Sequence, residues 1–122
     1  MKSTATTLYP FLPSGPRFEE SIRFFGELGF ETQWQHEGIV GLRFGGAYFI
    51  LQDIDIKVWQ ENQMVTFEVD DLEAYWREVE SLDLPGRYEG VRLRPPTDFA
   101  WGRELHIIDP GGICWHVRQS SR

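Results

Sequence analysis

The sequence lacks several features that mark common classes of protein. Cys114 is the only cysteine, so an internal disulfide is excluded. No apolar run approaches the roughly 20 residues that span a bilayer, and the N-terminal MKSTATTLYPF has no apolar middle region like that of a signal peptide. Basic residues are too few to balance the acids, and the net charge is −7. These absences argue against nucleic-acid and membrane partners and predict a cytoplasmic protein.

What is present indicates a folded chain with one core. Of the 122 residues, 41% are hydrophobic, and nine Phe and five Trp supply large apolar side chains. Such a composition excludes disorder. The length suits one domain over residues 1–122.

The second half of the chain repeats the plan of the first. Residues 43–52 read RFGGAYFILQ and residues 109–119 read DPGGICWHVRQ, so each half contains a Gly-Gly turn followed by a strand of aromatic and branched residues. We predict an α+β fold of two tandem β-α-β-β-β modules, which form a curved mixed sheet around a cleft with helices on the outer face. Module one covers about 5–53, a linker 54–62, and module two 63–119.

Apolar periodicity and capping signals place the elements. Helices are predicted at 17–28 and 71–82, the second with Asp70 and Glu73 as a capping-box-like start. The segment 83–102 predicts loops around one strand, because it contains Pro85-Gly86 and Pro95-Pro96. The predicted strands are 6–13, 30–36, 38–44, 47–53, 63–70, 87–94, 103–109 and 113–119.

Alternation along the strands predicts which side chains line the cleft. Val65 and Phe67 should face the helices, as should Trp115 in the last strand. The opposite face carries the candidate site residues. These are Tyr9, Tyr48, Ile50, Met64, Glu104, His106 and His116.

The chain resembles the vicinal oxygen chelate superfamily, which includes glyoxalases, bleomycin-resistance proteins and extradiol dioxygenases. SIRFFGELGFE, FEVDDLEAYW and DPGGICWHV carry the resemblance, which covers about residues 7–119. It implies four metal-ligand positions, which here hold Tyr9, Ile50, Met64 and His116. Only His116 is a good ligand for zinc or iron. We therefore expect no metal, no other cofactor and no catalytic residue.

Within that superfamily, WGRELHIIDPGGICWHV is most similar to the end of bleomycin-resistance proteins. The resemblance implies a homodimer that traps a flat, cationic small molecule in an aromatic cleft, with Trp101 as the cleft tryptophan. Trp34 and Tyr48 are further ligand-binding candidates, together with Tyr9, Met64, Glu104, His106 and His116. The predicted function is non-catalytic sequestration of a small planar or cationic molecule, of the bleomycin type.

One cluster leaves an alternative open. If residues 110–112 form a three-residue turn, His106 pairs with His116 across a hairpin, and Glu104 lies on the same face. The three side chains form either a hydrogen-bonded group in a polar cleft or a rearranged metal site. The second interpretation would make the protein a metal-dependent lyase, isomerase or dioxygenase. A small interaction domain without a ligand is a third possibility.

Overall fold

A computed structural model describes residues 1–121 of the chain. Module one contains β1 (Phe11–Pro13), α1 (Phe18–Glu27), β2 (Glu31–His36), β3 (Ile39–Phe44) and β4 (Ala47–Gln52), and it is followed by the short helix α2 (Lys57–Glu61). Module two contains β5 (Met64–Val69), α3 (Leu72–Ser81), α4 (Leu84–Arg87), β6 (Arg92–Phe99), β7 (Gly102–Ile108) and β8 (Cys114–Gln119).

The strand orders confirm the duplication. The two four-stranded sheets have the orders β1-β4-β3-β2 and β5-β8-β7-β6, which are the same path repeated. In each sheet the first strand lies at one edge and pairs in parallel with the last strand, while the remaining pairs are antiparallel. The fold is therefore α+β with two open mixed sheets, as the sequence predicts, although the two modules contribute separate sheets.

The core contains side chains from both modules. Trp115 on β8 is 2% exposed, and its ring centroid lies 5.3 Å from that of Phe25 on α1 and 5.1 Å from that of Phe49 on β4. The hydroxyl of Tyr75 on α3 donates to the carbonyl of Leu28 at the end of α1, at 2.7 Å. Aromatic edge-to-face packing and this buried hydrogen bond join the two modules.

The predicted linker 54–62 is more ordered than its polar sequence indicates. It contains α2, and the side chain of Gln60 is 1% exposed. The Gln60 amide donates to the Asp55 carboxylate at 2.9 Å and to the Gly111 carbonyl at 3.0 Å, and its carbonyl oxygen accepts from the Ile56 amide at 2.7 Å. Gln60 therefore ties this segment to the β7–β8 turn through Gly111, a long-range hydrogen bond that local sequence patterns do not predict.

Two predicted strands had the wrong boundaries. The first strand is only Phe11–Pro13 rather than 6–13. The strand predicted at 87–94 lies at Arg92–Phe99, because α4 occupies the start of that segment. Pro95 and Pro96 lie within β6, although proline has no backbone N–H to donate to a neighbouring strand. β6 tolerates this loss because it is an edge strand, and its register shifts between Arg94 and Thr97.

The two predicted helices, α1 and α3, agree with the structure to within a residue or two, whereas α2 and α4 were not predicted. The cap of α3 is Asp71, not Asp70, since the Asp71 carboxylate accepts from the Ala74 amide at 3.0 Å. Within residues 1–121, none of the helices has the length and apolar character needed to span a membrane.

Candidate functional site

Trp101 lies at the tip of the β6–β7 hairpin. The hairpin closes between Phe99 and Gly102, so Trp101 occupies a two-residue turn. Gly102 has φ +139°, and a Cβ there would lie 2.6 Å from the Arg118 guanidinium. That guanidinium donates to the Trp101 carbonyl at 2.9 Å. Glycine is favoured here because φ is positive, and Arg118 fixes the turn through its hydrogen bond to the Trp101 carbonyl.

The indole of Trp101 begins a row of rings across the concave face of module two. Its centroid lies 4.8 Å from that of Phe99, with the planes 8° apart. Phe99 stacks in turn on His106 at 5.1 Å and 16°, and the His106 ring lies 4.3 Å from that of His116. We call these four residues the module-two stack. Its outer member, Trp101, is 60% exposed, so one indole face is open to solvent.

A buried carboxylate organises the module-two stack. Glu104 is 2% exposed, and its Oε1 atom accepts three hydrogen bonds. The donors are Trp101 Nε1 at 3.0 Å, His106 Nε2 at 2.9 Å and His116 Nδ1 at 2.7 Å. Burial raises the pKa of Glu104, but hydrogen bonds from the two histidines and the indole outweigh it and lower the pKa to about 2. The carboxylate is therefore ionised at neutral pH.

Module one carries a second aromatic group, the module-one cluster. Trp34 Nε1 donates to the Tyr48 hydroxyl at 2.7 Å, and the Tyr9 ring lies 4.7 Å from the Tyr48 ring. The Arg43 guanidinium lies over Tyr48, 4.5 Å from the centroid. Gly41 allows this arrangement, since a Cβ at that position would lie 2.5 Å from the Trp34 ring. These side chains are already paired with one another.

A groove of about 640 Å³ lies between the two sheets. Tyr48 of the module-one cluster lines it, together with Glu68 and Arg118 of module two. Tyr48 is the one residue of the two aromatic groups that lines this groove, and Arg118, which also holds the Trp101 turn, lies between the groove and the module-two stack.

The four metal-ligand positions implied by the family resemblance do not fit a metal ion. Ile50 supplies only an alkyl group; it is buried but lies outside the core cluster that contains its neighbours Phe49 and Leu51, on the opposite face, as alternation predicts. Met64 and Tyr9 are exposed, at 69% and 47%, and offer a thioether and a phenol. His116 remains the one good ligand of the four.

Most of the predicted site residues fall into two groups. Trp101, Glu104, His106 and His116 meet in module two, where the predicted pairing of the two histidines is confirmed by the strand register. Tyr9, Trp34 and Tyr48 meet in module one, whereas Met64 lies apart at the exposed end of β5. Phe99 and Arg118 are site residues that were not predicted from the sequence. Phe99 lay in a predicted loop, because the strand expected at 87–94 lies at Arg92–Phe99.

Comparisons with solved structures bear on the fold. A bleomycin-binding protein complexed with bleomycin has a TM-score of 0.82 and 21% identity, over 96% of this chain and all of that one. The bleomycin-binding protein of bleomycin-producing Streptomyces verticillus, complexed with copper(II)-bleomycin, has a TM-score of 0.79 and 21% identity, over 98% and 99% of the two chains. The fosfomycin resistance protein FosX of Listeria monocytogenes, complexed with Mn(II) and sulfate, has a TM-score of 0.72 and 11% identity, over 98% and 93%.

The chain therefore has the fold of the vicinal oxygen chelate proteins, as its sequence motifs predict. Within that class, its solved structural neighbours include the bleomycin-binding proteins. No model of a protein family matches the chain, and no curated protein matches it.

Proposed function

We propose that this protein binds and sequesters a flat, cationic small molecule of the bleomycin type, without transforming it. The observation that carries the proposal is the module-two stack, in which an exposed indole is held parallel to Phe99 at 4.8 Å. An aromatic face that is already fixed loses little side-chain entropy when a planar ligand stacks on it. Such stacking contributes about 0.5–1.5 kcal/mol beyond the burial of apolar area.

Charge favours a cationic ligand at this face. The ionised Glu104 carboxylate lies at the edge of the indole, where it accepts a hydrogen bond from Nε1. The electron-rich face of tryptophan attracts cations, and a nearby anion adds to that attraction. The chain as a whole also carries a net charge of −7. The solved neighbours that bind bleomycin support the same ligand class.

The groups near the stack favour binding over covalent chemistry. Burial, together with the negative charges of Glu104 and Asp109, raises the pKa of the Cys114 thiol. A thiol with a raised pKa is a poor nucleophile at neutral pH. Cys114 Sγ lies 3.6 Å from His116 Nε2, yet His116 also contacts Glu104, so the imidazole stabilises the cluster.

A homodimer is part of the proposal. Strands β1 and β5 lie at the edges of their sheets, and apolar side chains there are exposed, including Leu8 at 87%, Phe11 at 57% and Met64 at 69%. A symmetric second copy would cover these edges, and the cleft would then lie near the subunit boundary. Light scattering at micromolar concentration should give twice the chain mass, and Phe11→Glu with Met64→Glu should shift the protein to monomer. A wild-type monomer would contradict the dimer.

The ligand proposal is tested with bleomycin itself, both metal-free and as the copper(II) complex. Trp101→Ala should weaken binding by about 1–3 kcal/mol in calorimetric titration, as expected for an aromatic anchor. Trp59→Ala is the matched control, because Trp59 is exposed to a similar degree, 57% against 60%, but lies on α2 away from the stack.

Two results would count against the proposal. The first is the absence of saturable binding of either bleomycin form by the wild type. The second is an equal loss of affinity in Trp101→Ala and Trp59→Ala, which would mean that the stack is not the ligand surface.

A further inference from the structure

We propose that Glu104, His106 and His116 form a binding site for one divalent transition-metal ion of the Zn²⁺ or Co²⁺ type. The site does not coincide with the four positions implied by the family resemblance, since only His116 is common to both. It does not depend on the proposed ligand. The chemistry that recognises the ion is that of two imidazoles and one carboxylate, a donor set that suits borderline divalent metals.

Strand register brings the three donors together. Glu104 and His106 are two residues apart on β7 and therefore point to the same face, and His116 is the direct cross-strand partner of His106 on β8. One ligand atom from each residue lies within 4.8 Å of the others. Because all three side chains stand on one hairpin, the site is complete within module two.

The distances require only a small adjustment to admit an ion. Both histidine nitrogens point at the same carboxylate oxygen, at 2.9 and 2.7 Å. Zinc ligands bond at about 2.0–2.2 Å, so tetrahedral neighbours lie roughly 3.4 Å apart. The carboxylate oxygen and each histidine nitrogen must therefore move apart by roughly 0.5–0.7 Å to bond one ion.

The proton inventory of the cluster is compatible with an ion. A coordinating imidazole nitrogen must have a free lone pair, so each nitrogen that now donates to Glu104 must lose its proton when the ion binds, and the ring then carries one proton on its other nitrogen. For His116 that other nitrogen is Nε2, which lies 3.6 Å from Cys114 Sγ. His116 can thus offer Nδ1 to the ion while Nε2–H faces the thiol.

Neighbouring side chains orient the Glu104 carboxylate, as hydrogen-bond partners outside the ligands do in metal sites. Arg118 Nε lies 3.8 Å from the second oxygen of Glu104, and Trp101 Nε1 holds the first. The histidine side chains are 17% and 18% exposed, whereas that of Glu104 is 2% exposed. The carboxylate is thus oriented by its neighbours, and the two histidines are the partly exposed members of the site, through which an ion and water would reach it.

The test uses chelator-stripped full-length protein and the metals alone, so its failure leaves the ligand proposal untouched. Calorimetric titration with Zn²⁺ should saturate at one equivalent per chain. Titration with Co²⁺ should produce the visible absorption of a low-coordinate Co²⁺ centre. His106→Gln and His116→Gln should each weaken binding at least roughly tenfold. His36→Gln is the control, because His36 is the third histidine and is exposed on the other sheet.

Wild-type protein supplies a second measurement that does not depend on the folding of variants. With only three histidines, nitrogen-detected NMR of the imidazole rings resolves each one. Zn²⁺ should shift the nitrogen signals of His106 and His116 and leave those of His36 unchanged. Absence of saturable Zn²⁺ binding, or shifts confined to His36, overturns the proposal. Equal affinity of the wild type and both glutamine variants also overturns it.

Discussion

Replacement of Trp115 by alanine should be the most damaging single change in the shared core. The side chain is 2% exposed and contacts aromatic rings of both modules. Truncating a buried tryptophan costs about 3–5 kcal/mol. The indole Nε1 also donates to Asp109 Oδ2 at 2.9 Å, and a buried acceptor left without its donor costs a further 1–3 kcal/mol or so. We expect a total loss of about 4–8 kcal/mol, which is comparable to the whole stability of a small domain.

Urea unfolding followed by far-ultraviolet circular dichroism measures this loss, and two variants separate its parts. Trp115→Phe keeps a ring in the core but removes the donor to Asp109, so it should cost about 1–3 kcal/mol. Trp101→Ala removes an indole that is 60% exposed and one of three hydrogen bonds to Glu104, so it should cost about 1 kcal/mol.

The expected loss of unfolding free energy is therefore largest for Trp115→Ala, smaller for Trp115→Phe and smallest for Trp101→Ala. If Trp101→Ala destabilises the protein more than Trp115→Ala, the assignment of faces in the C-terminal hairpin is wrong, and the proposed ligand surface is wrong with it. If Trp115→Phe costs as much as the alanine variant, the hydrogen bond to Asp109 and not the packing dominates.

Three further changes test other parts of the structure. The pKa of Glu104 in the folded protein, about 2, is below its ordinary value of 4.5. As the pH falls from 5 to 2, the metal-free wild type should therefore lose roughly 3 kcal/mol more unfolding free energy than Glu104→Gln. Parallel curves of unfolding free energy against pH for the two proteins would contradict this. Gly102→Ala should cost about 1–3 kcal/mol and weaken the near-ultraviolet dichroism of Trp101, since φ is +139° and a Cβ would displace the Arg118 guanidinium that holds the turn. Gln60→Leu should lower the melting temperature, whereas the exposed Gln33→Leu should not.

Local patterns were sufficient to predict the elements that bury one face. The helical spacing of apolar residues placed α1 and α3, and alternation put Phe67 and Trp115 in the core. Alternation together with the length of the Pro110–Gly112 turn also predicted the pairing of His106 with His116, since Asp109 and Ile113 bond across that turn. These predictions depend on near neighbours in the chain, where sequence carries most of the information.

The remaining features depend on contacts that sequence spacing does not specify. The Pro95-Pro96 pair suggested a loop, yet an edge strand with a register shift accommodates it, and that strand brings Phe99 beneath Trp101. The folding of the indole back onto Glu104 requires the turn geometry that Gly102 and Arg118 impose. Tertiary packing determined these positions, as it often does where side chains from several strands converge.

The shared core has a consequence for any chain that carries only one of the two repeats. A single module would leave the aromatic side chains that now meet between α1, β4 and β8 exposed to water, and only a second copy could cover them. A half-length protein would therefore fold as a pair, with a population that rises and falls with its concentration. Placing both copies in one polypeptide converts that association into an internal contact, so the core persists at any dilution.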